Sequence, residues 1–183
     1  MIYYAGIGSR ESPEDVLELM RDIGKYFAVR GWCLRSGGAP GADLAFEDGC
    51  IGVNGSKQIF HPWKNFNKRY SEFYEPPLEA YGLAESVHPG WKNCKQGAQR
   101  LLARNAQQLL GPNLDDPSSI VICWTLGLGA GGTMIAVHLA ERRGIPVLNL
   151  YNWQDWKSMN SVENKFERVM LVWEKAQQLI GVK

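Results

Sequence analysis

The sequence predicts an α/β fold, a Rossmann-like, doubly wound and mainly parallel sheet with helices on both faces. Three observations predict it. Short β-rich apolar runs alternate with segments of helical periodicity along the chain. The runs at 120–123 and 145–150 are nearly continuous apolar stretches, as expected of strands buried on both sides. Glycine-rich turns follow several strands, where a strand hands over to a helix.

Residues 2–7 read as the first strand. Ser12-Pro13-Glu14-Asp15 reads as a helix start, with Ser12 as N-cap, Pro13 at the first position and Asp15 completing a capping box. Val16, Leu19, Met20, Ile23 and Phe27 then recur at helical spacing, and Gly31 closes the helix. Residues 32–35 form a second strand, 42–49 a second helix, and 57–60 a third strand ending at His61-Pro62-Trp63. Residues 64–90 are less regular and aromatic-rich, an insertion expected to hold one or two short helices. A helix at 95–110, a strand at 119–124, a glycine-rich loop at 126–132 and a helix at 133–143 follow. The strand at 145–150 and a last helix at 164–180 complete the chain. No linker splits it, so 1–183 is expected to be a single domain.

Composition narrows the function. The chain has 183 residues, with 45% hydrophobic and 21% charged, an ordinary globular balance with material for a large core. Twenty basic residues against 19 acidic ones give a net charge of +1. That excludes a nucleic-acid coat as the main theme but leaves room for a few arginines in one cleft. No apolar run approaches the roughly 20 residues needed to cross a bilayer. The first residues lack the pattern of a signal peptide, so a cytoplasmic location is expected. The four cysteines form no C-x-x-C pair. Cys33 and Cys123 lie in apolar strands, as buried thiols in a reducing compartment would. The three histidines are far apart, so neither a metal nor a cofactor is expected.

In an open parallel sheet, ligands bind beyond the carboxyl ends of the strands. The unusual residues fall there. The first strand runs into Gly6-Ile7-Gly8-Ser9-Arg10, and the second into Ser36-Gly37-Gly38-Ala39-Pro40-Gly41-Ala42-Asp43. The strand at 119–124 runs into Trp124-Thr125 and then Gly127, Gly129, Gly131, Gly132 and Thr133. Bare backbone amides can approach a phosphate closely, and a following helix adds its positive end. Three such turns on one edge read as a cradle for a phosphate-bearing ligand. No P-loop Gly-Lys-Ser/Thr is present, and G-x-G-x-x-G fits residues 127–132 only with relaxed spacing, which disfavours a dinucleotide dehydrogenase.

Taken in order, these loops together with His88-Pro89-x-Trp91, Arg104-Asn105 and Gly131-Gly132-Thr133 resemble the SLOG superfamily. That superfamily is named after the DNA-processing protein DprA (Smf) and the cytokinin-activating "lonely guy" (LOG) phosphoribohydrolases. The nearest likeness is to its small YspA-like branch, common in bacteria and their phages. The resemblance spans roughly residues 2–150 and implies a Rossmann-like fold that binds nucleotides or molecules derived from them. Some members cleave the N-glycosidic bond of a nucleoside monophosphate, others sense nucleotide signals, and DprA-type members bind single-stranded DNA. The hydrolases carry P-G-G-x-G-T-x-x-E. Here the counterpart is Gly129-Ala130-Gly131-Gly132-Thr133, and Ala136 stands where the Glu would be. This departure counts against hydrolysis, since an acid/base group must reach the reacting atoms.

The candidate ligand residues are therefore Gly8, Ser9, Arg10, Ser36, Gly37, Gly38, Gly41, Asp43, His61, Trp63, Trp91, Arg104, Asn105, Trp124, Gly131, Gly132 and Thr133. Arg10 offers a planar fork for phosphate oxygens, and the tryptophans offer faces for a base. Asp43 is the one candidate for a catalytic carboxylate. Glu47, one turn on, is expected to solvate a helix face. The leading expectation is a non-catalytic binder of a nucleotide-derived molecule, a sensor or a sequestering protein that works as a homodimer or higher oligomer. A nucleotide N-glycosidase using Asp43 is the alternative. DprA-like DNA binding ranks third, because no Lys/Arg cluster supports it.

Overall fold

The structure is a computed structural model and describes residues 1–126, 131–151, 162 and 164–182. Its strands are β1 (Tyr3–Gly8), β2 (Cys33–Ser36), β3 (Lys57–His61), β4 (Phe73–Tyr74), β5 (Ile120–Trp124) and β6 (Val147–Asn149). Its helices are α1 (Glu14–Val29), α2 (Ala42–Ile51), α3 (Leu78–Val87), α4 (Gln96–Leu110), α5 (Gly132–Arg142) and α6 (Lys165–Ile180). The strands form one parallel sheet in the order β4-β3-β2-β1-β5-β6. The predicted doubly wound α/β architecture is the one observed.

The alternation of side chains across the strands divides the core in two. Tyr4, Leu34, Ile120, Ile122 and Leu148 pack on one face with α1, α2 and α6. Ala5, Ile7, Val121 and Cys123 pack on the other with α3, α4 and α5. On the first face, Trp32 and Trp173 meet at 4.8 Å between ring centres, and Phe27 lies 4.9 Å from each. Burial pushes the Cys33 thiol up to about 11 and the Cys123 thiol up to about 12. Both are inert core residues, as their strand positions imply. Among the described residues no helix is long and apolar enough to cross a membrane.

Three local expectations need correction. Ser12 is not an N-cap: α1 begins at Glu14 after Pro13, and the Ser12 hydroxyl donates to the Ser9 carbonyl at 2.9 Å. That hydrogen bond ties the helix start to the first glycine loop instead of to the helix's own amides. Glu47 does not solvate a helix face. It is buried, and Arg69 and Lys57 reach it at 2.9 and 3.5 Å. A buried carboxylate needs such partners, and here they come from β3 and from the aromatic-rich segment. That segment contains α3 and a short turn at Phe66–Lys68. It also supplies the edge strand β4, which alternation could not reveal in two residues.

The topology fixes where a ligand can go. From β1 the chain steps outward to β2, β3 and β4, then returns to β5 and steps the other way to β6. The reversal lies between β1 and β5, and the crevice beyond their carboxyl ends is the ligand position of this architecture.

Candidate functional site

The loops after β1, β2 and β5 meet at that crevice. Gly8 pairs with Trp124 at the strand ends, and the Ser9 N–H donates to the Trp124 carbonyl at 3.2 Å. The Ala42 N–H donates to the Ser9 carbonyl at 3.3 Å, which seats the first loop on the start of α2. Gly41 has φ +82°, and a Cβ there would come within 2.7 Å of the Arg10 backbone. Only glycine permits both the conformation and the contact.

A cavity of about 620 Å³ opens at this junction, a volume in the range of small-molecule sites. Gly8, Ser9, Arg10, Asp43, Arg104, Asn105, Trp124, Gly131, Gly132 and Thr133 line it. Its polar wall includes Ser9, Arg10, Glu11, Asp43, Arg104, Asn105, Gln108, Thr125 and Thr133. Ala98, Leu101, Leu102, Met134 and Ala136 form the apolar wall. The methyl group of Ala136 thus faces the cavity where the hydrolase motif would place a carboxylate. No side chain caps the amino terminus of α5, and a Cβ on Gly131 would meet nothing within 4 Å. Among the described residues nothing covers the positive end of that helix. Asn105 Nδ2 donates to the Gly132 carbonyl at 3.0 Å and fixes this end against α4. Gly127 and Gly129 lie outside the described residues.

The rest of the candidate set is elsewhere. The Ser36 hydroxyl donates to the Gly6 carbonyl at 2.7 Å and locks β2 to β1. Gly37 and Gly38 lie under side chains: a Cβ on Gly37 would fall 1.8 Å from Arg104 Nη1, and one on Gly38 would fall 2.8 Å from His61 Nε2. His61 is buried beside Phe66, and Trp63 packs on Phe66 at 5.1 Å. Trp91 stands between His88 and Tyr81. Ser36, Gly37, Gly38, Gly41, His61, Trp63 and Trp91 do not line the cavity.

A buried polar group forms one side of the cavity. Arg104 Nη1 lies 3.4 Å from Asp43 Oδ2 and donates to Gln108 Oε1 at 2.6 Å. The Ala39 N–H also donates to Asp43 Oδ2 at 3.4 Å. Burial raises the Asp43 carboxyl and lowers the Arg104 guanidinium, and the opposite charge of each restrains the shift of the other. Asp43 therefore braces the second loop and holds Arg104. His61 is lowered to about 4 by burial, with Arg104 and Arg69 adding repulsion, and is neutral at physiological pH. Arg10 differs: it is exposed and makes no hydrogen bond or ion pair among the described residues, and the nearby Glu14 is taken by Arg21 at 2.9 Å.

Sequence reasoning misses Glu11, Cys94 and Gln108 as lining residues and names His88 only within the family-like motif. Gln108 carries a signal, since Leu101, Arg104, Asn105 and Gln108 recur at helical spacing on one stripe of α4. His88 and Cys94 are joined by a turn. The Gly90 N–H donates to His88 Nδ1 at 3.1 Å, and Nε2 lies 3.8 Å from Cys94 Sγ. Among the described residues no group of three or more His, Cys, Asp or Glu could hold a metal ion.

No family model and no curated protein match the sequence. Solved structures do match the fold. The molybdenum cofactor carrier protein of Chlamydomonas reinhardtii superposes with a TM-score of 0.57 at 16% identity, covering 99% of both chains. DNA processing protein A of Helicobacter pylori, whose structure describes a single-stranded DNA binding mode, gives 0.56 at 15% identity, over 95% of this chain and 81% of that one. DNA processing protein A of Streptococcus pneumoniae gives 0.52 at 16% identity, over 96% of this chain and 56% of that one. The chain shares the parallel α/β fold of these structures. At these identities the likeness concerns the fold.

Proposed function

We propose that this protein binds a nucleotide or nucleotide-derived anion in the cavity between β1, β5 and α4 and releases it unaltered, as a sensor or sequestering protein. One observation carries the reading. The unpaired Arg10 and the uncapped amino terminus of α5 face one cavity at the switch point of the sheet. Both attract negative charge, and among the described residues neither has a hydrogen-bonding side-chain partner. The apolar wall beside Trp124 suits a base. Retention without turnover is supported by Ala136, and by the engagement of Asp43 with Arg104 and Ala39. The fold-level likeness to a cofactor carrier fits the same reading. In this reading residues 1–183 act as one domain, in the cytoplasm, as a homodimer or higher oligomer.

A second reading has one observation behind it. Asp43 lines the cavity with a raised pKa, as an acid for N-glycosidic cleavage would. One experiment separates the two. The protein is incubated with nucleoside mono- and diphosphates, cyclic nucleotides, NAD and ADP-ribose, recovered by gel filtration, heat-denatured and analysed by mass spectrometry. Intact ligand supports the binder. Free base, absent with Asp43→Asn, establishes the hydrolase. Recovery of nothing from the panel removes both readings.

A further inference from the structure

Two buried donors beside the cavity have no hydrogen-bond partner among the described residues. Arg104 Nε and Gln108 Nε2 are shielded from solvent and make no hydrogen bond. Both side chains line the cavity and both residues are more than nine-tenths buried. A buried donor left unsatisfied keeps its desolvation penalty, so a bound partner at this point is strongly favoured.

The amide of Gln108 is fixed in one orientation. An arginine has donors only, so the atom that meets Arg104 Nη1 at 2.6 Å must be the oxygen, Oε1. Nε2 is thereby turned to present N–H groups, and it cannot exchange places with the oxygen without setting donor against donor. On Gln108 the oxygen is already used, and Nε2 is left as a donor at the α4 end of the cavity.

This arrangement selects the group that completes it. A phosphate fits poorly, because the Asp43 carboxylate lies 3.4 Å from Arg104 and already balances its charge. Arg10 and the α5 amino terminus supply the anion site at the rim. The neighbouring wall of Ala98, Leu101, Leu102 and Met134 suits a flat, mostly apolar ring. We infer that Gln108 reads the base edge of the ligand and selects a ring carbonyl oxygen over an amino group. Building on the proposed nucleotide site, this gives a 6-oxopurine nucleotide preference over its 6-amino counterpart.

The test is calorimetric titration of inosine 5′-monophosphate and adenosine 5′-monophosphate into the full chain. The expected result is tighter binding of the oxo compound by about tenfold, one hydrogen bond's worth. Gln108→Leu is expected to erase the preference. Gln108→Glu keeps an oxygen for Arg104 and replaces the donor by an acceptor, so it is expected to reverse the order. Arg10→Ala is expected to weaken both compounds equally. Equal or tighter binding of the amino compound by the wild type overturns this inference and leaves the anion-binding reading standing. A preference that persists in folded Gln108→Leu overturns the role of Gln108. Binding of neither compound overturns the inference and, with it, the purine nucleotide form of the proposed function.

Discussion

Two glycine-rich regions lie side by side at the carboxyl edge of the sheet, and they use the missing Cβ in opposite ways. After β2, Gly37 and Gly38 make room for the protein's own side chains, Arg104 and His61, which fill the space a Cβ would take. At the start of α5, Gly131 and Gly132 leave space open, with nothing nearer a new Cβ than Asn105 Nδ2 at 3.7 Å. The first region is sealed and organises charge, while the second is open and faces a cavity. A run of glycines after a strand therefore does not by itself mark a ligand contact. The occupant of the space beside each glycine decides, and that depends on distant residues such as Arg104.

Substitution should separate the two regions. The largest effect is expected at Gly37→Ala, which would drive its methyl into Arg104 and disturb a buried ion pair. A loss of about 3 kcal/mol is expected in urea unfolding. A loss within error of zero would mean that Arg104 repacks freely and that the sealed region is not sealed.

The next effect is a pH dependence from the same region. His61 titrates at about 4 in the fold against an ordinary 6.5. Between those values the unfolded chain binds a proton that the folded chain refuses. Stability is therefore fully present above pH 6.5 and is lost as the pH falls towards 4. Asp43, with its raised carboxyl, has the opposite sign, so the comparison needs a variant. Thermal unfolding from pH 7 to 4 should fall more steeply for the wild type than for His61→Gln. Parallel curves would remove His61 from the account.

The smallest effect marks the open side. Cys94 is half-exposed at the cavity, whereas Cys33, Cys50 and Cys123 are buried. Iodoacetamide followed by peptide mass spectrometry should label Cys94 first, by about tenfold in rate. A bound nucleotide should slow that labelling several-fold. Labelling of all four at one rate would contradict the burial pattern.

The strands and most helices are legible because hydrophobic periodicity encodes them locally. Val16 to Phe27 mark α1, and the apolar run through Cys123 marks β5. The cap at Ser12 misleads because its hydroxyl finds the Ser9 carbonyl, a choice made by the loop's fold and not by the helix. Glu47 misleads because its partners, Lys57 and Arg69, are brought to it by the sheet. In the site, Ser9, Arg10, Arg104, Asn105 and Thr133 are readable from loop position and family likeness. Gln108 escapes notice although it continues the same stripe, because an isolated glutamine carries no charge or motif. His61, Trp63 and Trp91 are placed by the aromatic-rich segment, whose packing no local pattern specifies.

The central claim is that the open space at the α5 amino terminus is the ligand site. Gly131 has φ −63°, which any residue can adopt, and its Cβ direction meets none of the described residues. A phenylalanine there should fill the cavity mouth and leave the core untouched. Calorimetry with inosine 5′-monophosphate on Gly131→Phe should show affinity reduced by about a hundredfold, about 2.8 kcal/mol, with the melting temperature of the wild type. Unchanged affinity in that folded variant would place the ligand elsewhere and contradict the account.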